Sequence, residues 1–173
     1  EFFLVDPLDG TKEFLKRDGK GSFTVNVAYI RNNDPVMGIV FAPALNRLFY
    51  TNSNGIAFED NANGIKKIKV RHSMKESIVA VASSSHQDKK TAEWLHNNKI
   101  FKTVSVGSSL KFCLVACGEA DVYPRFGPTM EWDTAAGDAI LRAAGGKVEN
   151  INGTKFKYGK KNFKNTSFIA KGD

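Results

Sequence analysis

The apolar run at 2–5 predicts a short strand, followed by a turn over 6–10. A short amphipathic helix is then expected from 11 to about 17, stopped near the glycines at 19 and 21. Residues 23–30 alternate apolar and polar with period two, the mark of a half-buried strand. Turn chemistry at 32–35 leads into strands over 36–41 and 48–51, with further hairpin turns at 52–55 and 61–64. Such short connections make these strands antiparallel neighbours.

Beyond about residue 75 the pattern changes. Strands are expected at 78–82, 104–106, 120–123, 147–151 and 167–170, and helices at 87–97, 109–117 and 134–144. Gly145 supplies a left-handed stop for the last helix. The second half therefore reads as a mixed α/β layer behind an antiparallel meander, an α/β or layered α+β fold. Two domains are expected, 1–75 and 76–173. The Lys-rich stretch 155–164, with Phe156, Tyr158 and Phe163 between the lysines, reads as a solvated hairpin or loop.

The chain has 173 residues, 42% of them hydrophobic and 25% charged, a globular composition that excludes disorder as the main state. Its formal net charge of +7 favours anionic partners: phosphate esters, nucleic acid or an acidic membrane surface. No apolar run approaches the ~20 residues of a membrane span. The start lacks the pattern of a signal peptide, and two cysteines make no disulfide framework. A cytoplasmic chain is expected, free or peripheral at the inner face of the cell membrane, as a monomer or homodimer. Because a strand follows Glu1 at once, a truncated chain lacking an upstream part is also expected.

The segment Asp6-Pro7-Leu8-Asp9-Gly10-Thr11 carries the most chemistry. Two carboxylates held close repel and raise each other's pKa unless a cation lies between them. A hard divalent ion with oxygen ligands, typically Mg²⁺, answers that need. Pro7 removes an amide and restrains the turn, leaving the Leu8 carbonyl as a further oxygen ligand. Gly10 and Thr11 open a helix whose first amides suit an anion. An ordinary helix cap at Asp9 or Thr11 fits the same spacing. At Trp132-Asp133-Thr134-Ala135-Ala136-Gly137, an acid in the first turn and small residues behind it suit either close packing alone or a second acidic site.

Together these two segments resemble the signature motifs of the inositol monophosphatase superfamily, in the right order. Within it the chain is most similar to the 3'(2'),5'-bisphosphate nucleotidases, through Lys12-Glu13-Phe14, Ser83-Ser84-Ser85-His86, Gly107-Ser108-Ser109-Leu110-Lys111, Gly118-Glu119-Ala120-Asp121 and Tyr123-Pro124-Arg125. The resemblance implies an αβαβα sandwich, of which this chain would be the C-terminal two-thirds. The missing portion would carry a metal-binding Glu and the acidic partner of the water-orienting Thr. It further implies that Asp6, Asp9, Asp133 and the Leu8 carbonyl hold two or more Mg²⁺ ions, with Thr11 and Asp9 catalytic and Li⁺ inhibitory. Substrate contacts would come from Asp9, Gly10, Thr11, Lys12, His86, Ser108, Lys111, Arg125 and Asp133. Arg125 takes the place of an acid that meets a sugar hydroxyl in inositol monophosphatases, and a planar cation there suits a second phosphate or a nucleotide.

The expected reaction is hydrolysis of the 3'-phosphate of adenosine 3',5'-bisphosphate, and of its sulfated form, by a metal-activated water. The alternatives are an inositol monophosphatase or fructose bisphosphatase, a non-catalytic binder of phosphate or nucleic acid, and an inactive fragment. With no RNA-binding motif in the chain, no nucleic-acid partner is expected. Cys113 and Cys117 read as buried reduced thiols, and Trp94 and Leu95 as core.

Overall fold

The computed structural model describes residues 1–16, 21–72, 77–83 and 89–172. A six-stranded antiparallel meander is built from β1 (Phe2–Asp9), β2 (Thr24–Arg31), β3 (Asp34–Ala42), β4 (Arg47–Thr51), β5 (Ala57–Asn61) and β6 (Gly64–Lys67), paired in chain order. The tight connection between β2 and β3 is Asn32-Asn33, both at positive φ (53° and 63°), the conformation that matches a hairpin's twist.

The second sheet combines β7 (Val79–Ala82), β8 (Lys102–Ser105), β9 (Val122–Arg125), β10 (Lys147–Asn150) and β11 (Phe168–Lys171), ordered β10-β11-β9-β7-β8. β7 runs parallel to β8 and β9, while β11 is antiparallel to β9 and β10. Helices α3 (Leu110–Ala116) and α4 (Ala135–Ala143) pack between the two sheets, and α2 (Lys89–Asn97) covers the far side of the second. The order sheet, helices, sheet, helix is the layered fold expected.

Period-two alternation decides which side chains enter each layer. Val79 and Val81 face the core that holds Phe112, Ile140 and Phe168, whereas Ala80 joins Leu95, Ile100 and Val122 beneath α2. Trp94 packs partly buried against that smaller cluster. Helix α4 lies so close to β3 that a Cβ on Gly38 would stand 2.3 Å from the Ala136 carbonyl oxygen. Gly137 meets Phe112 just as tightly, at 2.6 Å. Small residues at 135–137 therefore do admit a neighbouring backbone. On the outer face of the first sheet Phe3, Val5, Ile39 and Phe41 remain exposed.

Two expectations are corrected. β1 does not end at residue 5: Asp6 pairs with Asn26 and Asp9 with Thr24, so three steps on β1 oppose two on β2. The acidic turn is thus a β-bulge within a strand, a device that re-aims side chains without ending the pairing. Nor is the 155–164 stretch a solvated loop. Phe156 and Tyr158 are fully buried, Phe156 against Phe168 at 5.1 Å, and the segment is a strap across the edge of the core. Tyr158 exchanges backbone and side-chain bonds with Asn33, and its hydroxyl donates to Asp138 at 2.9 Å. The surrounding lysines hid these two aromatic anchors.

Candidate active site

The bulge brings Asp6 and Asp9 together on one side of β1. The Leu8 amide donates to Asp6 Oδ1 at 3.0 Å, closing a local turn around Pro7. Gly10 then takes φ 86°, where a side chain would be strained, and the chain turns into α1 (Thr11–Leu15). Across the site, a 3-10 turn at Glu131–Asp133 precedes α4 and packs against β1. There Asp133 Oδ2 accepts the Met130 amide at 2.7 Å.

Carboxylate oxygens of Asp6, Asp9 and Asp133 consequently lie within 4.8 Å of one another. Burial pushes the Asp9 carboxyl up to about 6, with Asp133 and Asp6 adding to the rise and Lys111 opposing it. Asp133 is raised as well, chiefly by burial. Three convergent carboxylates fit a hard divalent cation, because the donor set is all oxygen and its like charges call for a positive one. A second acidic group, Glu59, Cys117 and Glu119, has no such need, since Arg47 already sits among them at 2.7 Å from Glu59 and 2.5 Å from Glu119.

The start of α3 supplies the opposite wall. The Ser109 amide donates to Asp9 Oδ2 at 2.6 Å, and its hydroxyl joins Asn26 at 2.6 Å and Thr24 at 2.8 Å. Ser108 sits at φ 50° with its hydroxyl on the Ser22 carbonyl. Lys111 is buried, its ammonium donating to the Ser108 carbonyl at 2.6 Å and lying 5.2 Å from the Tyr123 ring. Burial pulls its pKa down to about 8, against the attraction of Asp9. Arg125 projects from β9 and donates to the Pro128 carbonyl at 3.2 Å, while its Nε is buried with no partner.

These walls enclose a cavity of about 230 Å³. Of the residues expected from the sequence, Asp9, Gly10, Thr11, Lys12, Ser108, Lys111, Arg125 and Asp133 line it. Asp6 and Leu8 are not part of that lining, and His86 falls outside the described residues. Glu13, Tyr123, Thr134 and Ser109 stand within the motif segments with no site role expected of them, and sequence reading missed Thr24 and Asn26, which complete a supporting trio with Ser109. A signal for the trio existed: Thr24 and Asn26 occupy the same inward positions of β2 as Ala28 and Ile30, where polar residues call for partners. Cys113 is buried and Cys117 half-buried, both free thiols as expected.

The sequence matches the inositol monophosphatase family over residues 1–171. The chain belongs to that family. It is 48% identical over 157 residues to the 3'(2'),5'-bisphosphate nucleotidase CysQ of Salmonella typhimurium, covering 91% of this chain and 62% of that protein. The CysQ of Buchnera aphidicola is 44% identical over 175 residues, covering 98% and 63%. Among solved structures, CysQ of Bacteroides thetaiotaomicron superposes with a TM-score of 0.88 at 38% identity, over 99% of this chain and 69% of that one. A Thermotoga maritima IMPase gives 0.77 at 27%, over 98% and 63%. The chain therefore spans about 62% of the length of the curated relatives it matches. No helix among the described residues is long and apolar enough to cross a membrane.

Proposed function

We propose that this chain carries the metal and substrate site of a phosphomonoesterase that removes the 3'-phosphate from adenosine 3',5'-bisphosphate. The convergence of Asp6, Asp9 and Asp133 within 4.8 Å, beside a cavity lined by Lys111 and Arg125, carries the reading. Asp6, Asp9 and Asp133 would hold Mg²⁺, with the Leu8 carbonyl as a further oxygen donor. Bound there, Mg²⁺ supplies a more acidic attacking water and neutralises charge on the ester phosphate.

The chain's own groups do the rest. Thr11 orients the water by its hydroxyl, and the Gly10 and Thr11 amides hold phosphate oxygens at the mouth of α1. Lys111, Ser108 and Lys12 add cationic and hydroxyl contacts, with His86 assigned to the base. Arg125 selects for a second phosphate, because its planar guanidinium lines the cavity beside Lys111. Such fixed charges lower the barrier by positioning and charge stabilisation, with no covalent intermediate.

By family likeness the proposal extends to the sulfated nucleotide as substrate, inhibition by Li⁺, a place in sulfur metabolism, a cytoplasmic setting and a division into two domains near residue 75. Two of the three aromatic faces a polynucleotide would stack on, Phe156 and Tyr158, are buried in the core and Phe163 alone of them is exposed, which counts against the nucleic-acid reading.

The test is phosphate release from adenosine 3',5'-bisphosphate and from inositol 1-phosphate, with Mg²⁺ or with EDTA, beside the Salmonella relative. Mg²⁺-dependent release favouring the nucleotide is expected, and Arg125→Glu should move the ratio toward the inositol ester. Equal turnover in EDTA would remove the metal role. An unchanged ratio would remove Arg125 from substrate selection.

A further inference from the structure

Glu131 has no part in the chemistry above, yet its carboxylate is fully buried two residues before Asp133. Its Oε2 accepts the Gly159 amide at 2.7 Å, and its Oε1 accepts the Lys160 amide at 2.8 Å and the Lys160 ammonium at 3.0 Å. All three donors come from the strap. The same ammonium lies 4.4 Å from the Phe156 ring and 3.2 Å from Asn165 Oδ1. Asn165 in turn donates from Nδ2 to the Met130 carbonyl at 2.8 Å, to Thr134 Oγ1 at 3.0 Å and to Thr129 Oγ1 at 3.1 Å. Residues 129–134 are thereby stitched at both ends and in the middle to a distant stretch of chain. Within them the Met130 amide holds Asp133 Oδ2.

Stability alone does not call for a charge here, since an apolar residue of similar volume often replaces a buried ion pair at no cost. What the ionic stitch adds is register: a carboxylate that must meet three fixed N–H donors tolerates one position of the turn. We infer that Glu131, Lys160 and Asn165 form a clamp that sets where Asp133 presents its other carboxylate oxygen to a divalent cation. They are positioning residues, and the inference rests on the proposed reading of Asp133 as a metal ligand.

Mn²⁺ titration by calorimetry, together with amide hydrogen exchange of the metal-free chain, tests it. In Glu131→Gln the side-chain NH₂ confronts an N–H donor, so the turn loses its register. The expected result is Mn²⁺ affinity lower by roughly 10–100-fold, the range typical of lost outer-shell partners. Exchange at the Met130 and Thr134 amides should quicken while β2 and β3 stay protected. Asn165→Leu leaves the Glu131–Lys160 pair intact and should weaken Mn²⁺ in the same sense, so it carries the test if Glu131→Gln does not fold. Glu149→Gln, a remote partner of Lys147 and Lys171, should change neither readout. Folded Glu131→Gln or Asn165→Leu with wild-type Mn²⁺ affinity overturns the clamp. If Asp133→Asn abolishes binding and Glu131→Gln does not, the clamp alone falls. A wild-type chain that binds no Mn²⁺ removes the metal reading and the clamp with it.

Discussion

The Ser109 amide reaches across 100 residues of sequence to hold Asp9 Oδ2 at 2.6 Å. The bond ties the bulged end of β1, in the first sheet, to the start of α3, which packs against the second. Asp9 is therefore fixed in a place where its charge is costly. Asp9→Asn keeps an oxygen for the Ser109 amide and turns an NH₂ toward Asp6 and Asp133. We expect the metal-free variant to be more stable than wild type at pH 7.5, by up to about 3 kcal/mol. Its Mn²⁺ affinity should fall at least tenfold. Thermal unfolding in EDTA and calorimetric titration check the two halves of this exchange.

The same carboxyl sets a pH window. Burial raises Asp9 to about 6 from an ordinary value of 3.8. A carboxyl whose folded pKa stands above its unfolded value stabilises the fold while protonated, below about 4, and loses that contribution as pH rises through about 6. In EDTA, wild type should thus lose stability relative to Asp9→Asn between pH 4 and 6.5, and Mg²⁺ should restore most of it above pH 6. Paired unfolding curves across that range measure the difference. Parallel curves would mean that Asp9 titrates at its ordinary value.

The meander was legible because strict alternation and Asn- or Gly-bearing turns leave antiparallel neighbours little choice. The two acidic segments were legible as well, since Asp-Pro and Trp-Asp followed by small residues are uncommon patterns. The bulge was not, because one extra residue in β1 shows only against its partner β2. The strap was missed for another reason: five lysines at 155, 157, 160, 161 and 164 mask an apolar pair two residues apart. Lys160 turns inward to Glu131, so its charge belongs to the interior network rather than to the solvated face. Glu131 itself carried no pattern at all, as its three partners lie 28 and 29 residues away.

Away from the site, Glu59 on β5 shows the opposite electrostatics. Burial pushes its carboxyl up, but hydrogen bonds from Arg47, Asn61 and Lys66 outweigh this and leave it below its ordinary value of 4.5. Its contribution to stability is present above that value and disappears as pH falls through the depressed pKa. Glu59→Gln keeps an oxygen for Arg47 but removes the charge beside it and turns an NH₂ toward Lys66, and should cost about 3 kcal/mol at pH 7. The deficit should shrink in acid, where wild type loses the pair too. Urea midpoints at pH 7 and pH 3.5 test both statements, and an equal deficit at the two pH values would contradict them.

The strap offers a mutational test in which neighbouring positions part company. Phe156 is fully buried against Phe168 and Tyr158, so Phe156→Ala removes a ring that the surrounding core cannot replace. Such truncations cost about 3–5 kcal/mol. For a domain of this size that lowers the melting temperature by roughly 2–4 °C per kcal/mol. Lys157 is exposed beside it, and Lys157→Ser should change stability by no more than about 0.5 kcal/mol. Because the strap also carries Gly159 and Lys160, the loss at Phe156 should loosen the Glu131–Asp133 turn before the chain unfolds. Amide exchange at Met130 should accordingly rise in Phe156→Ala at temperatures where β2 and β3 remain protected. Were 155–164 a solvated loop, both substitutions would be equally mild and Met130 would exchange as in wild type.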